Sequence, residues 1–127
     1  MSGINIILDT NAVGLYLENK SFKDKYVKNF KQIGISVITK IEFLANPALS
    51  PKHKFLFEDF IEEIDVYPIS CETKELIAEI IAIRKKYKIK LPDEIIAATA
   101  KTNNAFLLST DKNFSKIHNL KFIHIIK

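Results

Sequence analysis

The sequence feature that decides the fold is a short, mostly apolar run at residues 4–8 (INIIL), which ends in the polar triplet Asp9-Thr10-Asn11. Such a run is too short for a typical helix and is characteristic of a strand buried on both faces. The triplet contains residue types that begin helices. We therefore expect a buried strand that turns directly into a helix.

The same alternation of buried strands and helices continues along the chain. Further strands are expected at residues 35–38, 66–67, 105–109 and 121–126. Helices are expected at residues 20–31, 40–45, 51–63, 72–87 and 91–102. Thr39, Ser50 and Ser70 are the expected caps of the second, third and fourth of these helices. The pattern predicts a single α/β domain, residues 1–127, with a mostly parallel central sheet covered by helices on both sides.

Composition favours a compact intracellular protein. Hydrophobic residues make up 47% of the chain, which is enough for a core and argues against disorder. The single cysteine, Cys71, has no internal partner for a disulfide, which favours a reducing compartment. Residues 1–5 lack the pattern of a secretion signal, and no apolar run approaches the ~18 residues of a membrane helix. We expect a cytoplasmic protein with no membrane partner.

Four carboxylates fall near the points where the expected strands end. Asp9 directly follows the first strand, Glu42 comes one turn after the second, and Asp111 lies two residues past 105–109. Because the carboxyl ends of parallel strands share one edge of a sheet, we expect these three acids to meet in space. Asp93, in the first turn of the helix at 91–102, is a fourth candidate. Clustered carboxylates without histidine favour Mg²⁺ or Mn²⁺ over zinc.

Each of these acids, taken alone, also has a structural explanation. Asp9 and Asp111 suit the capping of the turns that follow them, and Asp93 suits the positive end of a helix dipole. The segment at residues 39–42 (TKIE) has the pattern of a capping box that ends in Glu42. Capping does not require the four acids to lie at the same edge of the sheet. Their joint placement there therefore favours a metal-binding site.

Four segments resemble, in the same order, the sequence blocks of the PIN-domain family. Leu8-Asp9-Thr10-Asn11 is similar to the first block, and residues 36–43 (SVITKIEF) are similar to the second, which carries the Glu of the family. Residues 91–100 (LPDEIIAATA) resemble the third block and residues 107–114 (LLSTDKNF) the fourth. Together the four segments span nearly the whole chain.

The resemblance implies a three-layer α/β/α fold and metal-dependent hydrolysis of RNA phosphodiester bonds. Asp9, Asp93 and Asp111 would bind Mg²⁺ or Mn²⁺. Glu42 would complete the catalytic set, either as a further ligand or by orienting the attacking water.

Polar neighbours of the acids would support them. Thr10, Asn11 and Ser109 are expected to form hydrogen bonds that fix the carboxylate rotamers. Asn113 stands where many family members carry a further Asp. Its amide oxygen can bind a metal but adds no charge, so the binding of a second ion stays open.

In its compact length the chain is most similar to the VapC-like toxins of toxin–antitoxin pairs. That similarity implies an RNA substrate, a small antitoxin protein as partner and a homodimer. The alternative is a non-catalytic PIN-like module that binds RNA or protein and uses its acids as caps.

A basic segment at residues 84–90 (RKKYKIK) leads into the third block, in a chain of net charge +4. Its cations would supply sequence-independent affinity for RNA phosphates. A solvated helix end is an equally good explanation of such a run. The candidate RNA contacts are Arg84, Lys85, Lys86 and Lys88.

Overall fold

The computed structural model describes residues 3–126. Lys127 lies outside it, and so do residues 1–2, which belong to the segment that lacks the pattern of a secretion signal. The strands are β1 Asn5–Leu8, β2 Gln32–Ser36, β3 Asp65–Tyr67, β4 Phe106–Ser109 and β5 Phe122–His124. They form one sheet in the order β3-β2-β1-β4-β5, and every neighbouring pair is parallel. The predicted parallel sheet is confirmed.

The helices alternate with the strands, as predicted. They are α1 Thr10–Glu18, α2 Lys20–Phe22, α3 Val37–Ala45, α4 Pro51–Ile61, α5 Lys74–Lys86 and α6 Leu91–Thr102. A π-helical turn spans Lys23–Val27 and a 3-10 turn spans Lys112–Lys116. No helix within residues 3–126 has the length and apolar character needed to cross a membrane.

Successive side chains of the central strand β1 belong to two different cores. Ile6 packs in a cluster with Val13 of α1 and Phe57 of α4. Its neighbour Ile7 packs in a second cluster with residues of α5 and α6, including Ile96. Because successive side chains of a strand point to opposite faces, the two clusters lie on the two sides of the sheet. This produces the three layers, α/β/α.

The predicted helix at residues 20–31 is wrong in its second half. After α2 the chain forms the π-helical turn, which is closed by a hydrogen bond from the Lys28 amide to the Lys23 carbonyl (3.0 Å). Phe22 and Val27 are both buried, although they are five residues apart. The wider π turn brings such a pair to one face, which an α-helical turn does less well.

The predicted capping box is also wrong. The helix α3 begins at Val37, and its cap is Ser36, whose Oγ accepts a hydrogen bond from the Ile38 amide (3.2 Å). The strand predicted at 35–38 therefore ends at Ser36, although β-branched residues follow it. Thr39 lies inside the helix, fully buried, and its hydroxyl has no partner within the described residues. Packing against the sheet overrides the local preference for a strand.

The start of α5 differs from the prediction by two residues. The helix begins at Lys74 rather than Glu72, and its N-cap is Thr73, not Ser70. Ser70 instead belongs to the turn before the helix, where its carbonyl accepts a hydrogen bond from the Thr73 hydroxyl (2.6 Å). Both residues are hydroxylated caps by type, so the sequence alone does not distinguish them.

An ion pair between a buried carboxylate and an exposed guanidinium joins α5 to α6. Glu94 is 1% exposed, and its carboxylate accepts a hydrogen bond from the Arg84 guanidinium (2.8 Å). Arg84, expected as an RNA contact, is thus engaged by a buried acid. Since an unpaired buried charge is strongly unfavourable, the role visible for Arg84 is to neutralise Glu94.

We expect Arg84→Gln to lower the free energy of unfolding by on the order of 1–3 kcal/mol, because the buried Glu94 loses its cation. Lys85→Gln is the matched control. Lys85 is exposed and forms no salt bridge in the described part of the chain, so the change should stay within about 0.5 kcal/mol. Urea denaturation of the two variants measures the difference. Equal effects would contradict a structural role for the pair.

Candidate functional site

The carboxyl ends of β1, β2 and β4 lie side by side at one edge of the sheet, and the cleft beyond them is lined by acids. All four expected carboxylates line this cleft, which has a volume of about 490 Å³. Asp9 follows β1, Glu42 lies on α3, Asp93 lies in the first turn of α6, and Asp111 follows β4. Four separate parts of the chain thus bring acids together, and we call this the acidic cleft.

Asp9 is the most deeply buried of these acids, with 5% of its surface exposed. One carboxylate oxygen accepts a hydrogen bond from the Ala12 amide (2.9 Å), so Asp9 also caps α1. The other oxygen accepts a hydrogen bond from the Ser109 hydroxyl of β4. That hydroxyl in turn accepts a hydrogen bond from the Asp111 amide (2.9 Å). A continuous chain of hydrogen bonds therefore fixes Asp9 relative to the backbone of Asp111.

The remaining acids have fewer hydrogen bonds. Glu42 accepts one from the Thr10 hydroxyl (2.8 Å), which joins α1 to α3. The Asp111 carboxylate accepts a hydrogen bond from the backbone amide of Asn113 (2.9 Å), so Asp111 also caps the 3-10 turn. Thr10 and Ser109 thus hold carboxylates in the manner expected of them. Asn11 lines the acidic cleft, but its side chain bonds none of the four acids.

Two acids of the cleft have raised pKa values, mainly because they are buried and in addition because they lie near other acids. Burial raises the pKa of Asp9 from 3.8 to about 6, and the charges of Asp93 and Asp111 add to the effect, against the hydrogen bonds from Ser109 and Ala12. Burial also raises the pKa of Asp93, with further contributions from Asp111 and Glu42, while Lys90 acts in the opposite direction. The ionised form of these carboxylates is therefore electrostatically unfavourable unless a cation binds.

The donor chemistry of the acidic cleft fits a hard cation. Its polar lining consists of carboxylates, amides, the Thr10 hydroxyl and one lysine, without histidine or cysteine. Within residues 3–126, no three His, Cys, Asp or Glu side chains stand close enough together to hold an ion as they are placed. An ion would therefore have to draw the carboxylates inward by side-chain rotation, which its charge would favour.

A second cleft, of about 440 Å³, adjoins the first. It shares Lys90, Asp93 and Asp111 with the acidic cleft, so the two are continuous. Its remaining lining residues are Lys88, Ile89, Asn113 and Phe114. We call it the basic cleft after its two lysines, Lys88 and Lys90, which it combines with Asp93 and Asp111.

Only some of the RNA contacts expected from the sequence lie in the basic cleft. Lys88 lines it, whereas Lys85 and Lys86 line neither cleft. Lys90 was not among the expected RNA contacts, although its place three residues before Asp93 was an available signal. Asn113, considered as a metal ligand, lies in the basic cleft and not among the residues that line the acidic one.

Comparisons with known proteins agree with this architecture. The family model described as PIN domain matches residues 6–120. Among solved structures, VapBC2 from Rickettsia felis bound to a DNA fragment from their promoter matches with a TM-score of 0.77 and 22% identity, covering 97% of this chain and 100% of that chain. A toxin–antitoxin complex from Klebsiella pneumoniae matches with a TM-score of 0.75 and 22% identity, covering 93% and 95%.

A third similar structure, DNA-bound VapBC from Salmonella typhimurium, has a TM-score of 0.75 and 20% identity and covers 95% of this chain and 98% of that one. At these identities the likeness shows a shared fold. No curated protein matches the sequence.

We expect Asp9→Asn to raise the free energy of unfolding at pH 7 in the presence of EDTA. The folded-state pKa of Asp9, about 6, lies above the ordinary value of 3.8. The neutral carboxyl therefore stabilises the fold fully below pH ~3.8, and that contribution is lost as the pH rises through about 6. Asparagine is uncharged throughout and avoids the loss, which amounts to at most about 3 kcal/mol.

Urea denaturation between pH 4 and pH 8 measures this effect. The advantage of Asp9→Asn over the wild type should grow from pH 4 to pH 7 and then level off. Asp24→Asn, at an exposed position, is the matched control and should show no such trend. A variant less stable than wild type at every pH would mean that the hydrogen bonds of Asp9 outweigh its charge.

Proposed function

The chain belongs to the PIN domain family, and we propose that it is a metal-dependent endoribonuclease whose site is the acidic cleft. The observation that carries this proposal is the meeting of four carboxylates from four separate parts of the chain in one cleft. Their crowding leaves uncompensated negative charge, which Mg²⁺ or Mn²⁺ would neutralise.

Each acid has a role that follows from its contacts. Asp9, Asp93 and Asp111 are the proposed metal ligands, and the Ser109 hydroxyl keeps the Asp9 carboxylate in place. When bound, the ion lowers the pKa of a water molecule and offsets charge on the scissile phosphate. Glu42 has one oxygen bonded to Thr10, which leaves the other to orient the attacking water or to bind the metal.

We further propose that the protein is the toxin of a toxin–antitoxin pair. The support is its fold, which is shared with VapBC and other toxin–antitoxin complexes across more than nine tenths of the chain. An antitoxin protein, a second copy of this chain in a homodimer and a cytoplasmic RNA substrate belong to this proposal.

A non-catalytic binding module is the second candidate function. Two observations favour it: Asp9 and Asp111 both serve as caps, and no three acids are placed to hold an ion without moving. In that case the family fold would present a surface for RNA or protein, and metal would have no specific effect. Two experiments separate the candidates.

The first experiment is RNA cleavage. We expect the purified protein to cut RNA from a broad panel in Mg²⁺ or Mn²⁺ and to stop when EDTA is added. Asp93→Asn should lower the rate at least ~100-fold, because loss of a ligand exceeds the 10- to 100-fold cost of losing a residue that orients one. Asp24→Asn, at an exposed site outside both clefts, should cut as wild type does. Cleavage that persists in Asp93→Asn would remove this residue from the site.

The second experiment is thermal melting at constant ionic strength. Mg²⁺ should stabilise the wild type by about 1.4 kcal/mol when its concentration is about ten times the dissociation constant. Asp111→Asn should respond less, because it offers the ion one charge fewer, and Asp24→Asn should respond like wild type. A wild-type melting temperature that does not respond to Mg²⁺ or Mn²⁺ would favour the non-catalytic module.

A further inference from the structure

A third cleft, at the edge of the sheet where the strands begin, carries positive charge and is so far without a role. Its volume is about 580 Å³, and we call it the amino-edge cleft; it is lined by Gly3, Lys28, Asn29, Phe30 and Lys31. We propose that it binds phosphates of an RNA substrate at a distance from the bond that is cut. This inference rests on the proposed function and adds to it the class of substrate, an RNA large enough to reach both edges of the sheet.

The amino-edge cleft lies at the opposite edge of the sheet from the four acids. The Lys31 amide donates a hydrogen bond to the Ile4 carbonyl (2.9 Å), directly before β1. The Phe30 ring packs against Phe106, the first residue of β4 (ring centroids 5.6 Å apart). Asp9 follows the other end of β1. Because a strand rises about 3.3 Å per residue, roughly 16 Å separate Ile4 from Asp9.

The segment that supplies this cleft holds the excess positive charge of the whole chain. Residues 20–31 contain five lysines and one aspartate, a net charge of +4, which is also the net charge of the chain. The remaining residues are therefore balanced in charge. A polyanion is attracted to this segment more strongly than to a balanced surface.

The lysines of the segment differ in their neighbours. Lys20 and Lys23 line a groove whose lining also includes three acids, so their charge is offset. Lys28 and Lys31 line the amino-edge cleft, whose lining includes no acid among the described residues. Both are exposed, and neither forms a salt bridge within residues 3–126. Unlike the basic cleft, the amino-edge cleft therefore has a net positive charge.

One further lysine and two acids lie along the same edge of the sheet. Lys121 precedes β5, and its ammonium lies 5.8 Å from the centroid of the Phe106 ring, which the Phe30 ring also contacts. Glu63 and Asp65 lie before and at the start of β3, and neither lines the cleft. Since β3 and β5 are the outer strands, the acids lie at the other end of this edge from Lys121.

The local backbone explains why these lysines are exposed. The π-helical turn Lys23–Val27 places Phe22 and Val27 in the first core, and Phe30 packs against the same core. The Phe30 amide donates a hydrogen bond to the Val27 carbonyl (3.1 Å), which closes the next turn. With its apolar side chains held inside, the segment leaves its lysines in the solvent.

The chemistry of the amino-edge cleft fits RNA better than an acidic protein. A lysine ammonium attracts phosphate without reading the sequence. The Phe30 ring offers an apolar surface to a ribose or base, and the exposed Asn29 amide offers a donor and an acceptor. Grooves that combine positive charge with an aromatic ring are typical of sequence-independent nucleic-acid binding. A chain of carboxylates would make no use of the ring.

Binding of a fluorescein-labelled RNA hairpin in EDTA tests the proposal without cleavage. The double variant Lys28→Gln/Lys31→Gln should weaken binding at least ~10-fold at about 50 mM salt and reduce the log–log salt slope by roughly 1.4 to 1.8, because two phosphate contacts are lost. Its melting temperature should equal that of the wild type, because both lysines are exposed.

Lys52→Gln/Lys54→Gln is the matched control, with the same change of charge. Both lysines are exposed and lie near the start of α4, a helix whose other end leads to the start of β3. They therefore lie roughly 10 Å or more along the helix axis from the amino edge. The affinity and salt slope of this control should equal those of the wild type. A labelled poly-glutamate peptide should bind without any dependence on Lys28 and Lys31.

Cleavage in Mg²⁺ gives a second readout. For the hairpin, Lys28→Gln/Lys31→Gln should raise KM and leave kcat unchanged, because a contact far from the cut is equally strong before and during the reaction. For a tetranucleotide, which extends only two nucleotides to each side of a central cut, the KM of the double variant should equal that of the wild type.

The outcomes separate this inference from the proposed function. Wild-type affinity and slope in the Lys28/Lys31 variant would overturn the inference, and so would an equal loss in the Lys52/Lys54 control. Dependence of poly-glutamate, but not RNA, on Lys28 and Lys31 would overturn it in favour of an acidic protein partner. RNA binding that depends on these lysines, without cleavage in any divalent ion, would support the contact and overturn the nuclease. A protein that neither binds nor cuts RNA would overturn both.

Discussion

The carboxylate of Asp9 is buried where the central strand ends, and both of its oxygens are engaged. The Ala12 amide bonds one oxygen and starts α1, and the Ser109 hydroxyl bonds the other and joins β1 to β4. The Ser109 hydroxyl also accepts a hydrogen bond from the Asp111 backbone amide. The same chain of hydrogen bonds therefore fixes the backbone that follows β4. A buried carboxylate without such partners would be far less favourable. The geometry of the whole edge depends on this interaction.

Two adjacent acids on α6 show how the fold treats buried charge differently at different places. Glu94 faces α5 and is neutralised by Arg84. Asp93 faces the acidic cleft, where burial raises its pKa and the charges of Asp111 and Glu42 raise it further. A protein selected for stability alone would avoid the second arrangement, and such local cost is typical of functional sites.

The two clefts are continuous but differ in charge. The acidic cleft is lined by four carboxylates and one lysine, and the basic cleft by two carboxylates and two lysines. The acidic cleft therefore favours a cation, and in the basic cleft a second lysine, Lys88, offsets part of the negative charge. Lys90, Asp93 and Asp111 line both. A cation bound among the carboxylates would reduce their repulsion of a phosphate at this boundary. Offsetting the charge of the scissile phosphate is one role that a metal ion would have in the proposed hydrolysis.

The sequence by itself determined the order of strands and helices, the parallel sheet and the edge at which the acids lie. Burial periodicity and the placement of acids at strand ends are local patterns, so they are readable without a structure. The tertiary structure decided which side chains form hydrogen bonds with these acids. Glu42 pairs with Thr10, 32 residues away, instead of belonging to a capping box with Thr39, and Ser109 bonds Asp9 across 100 residues.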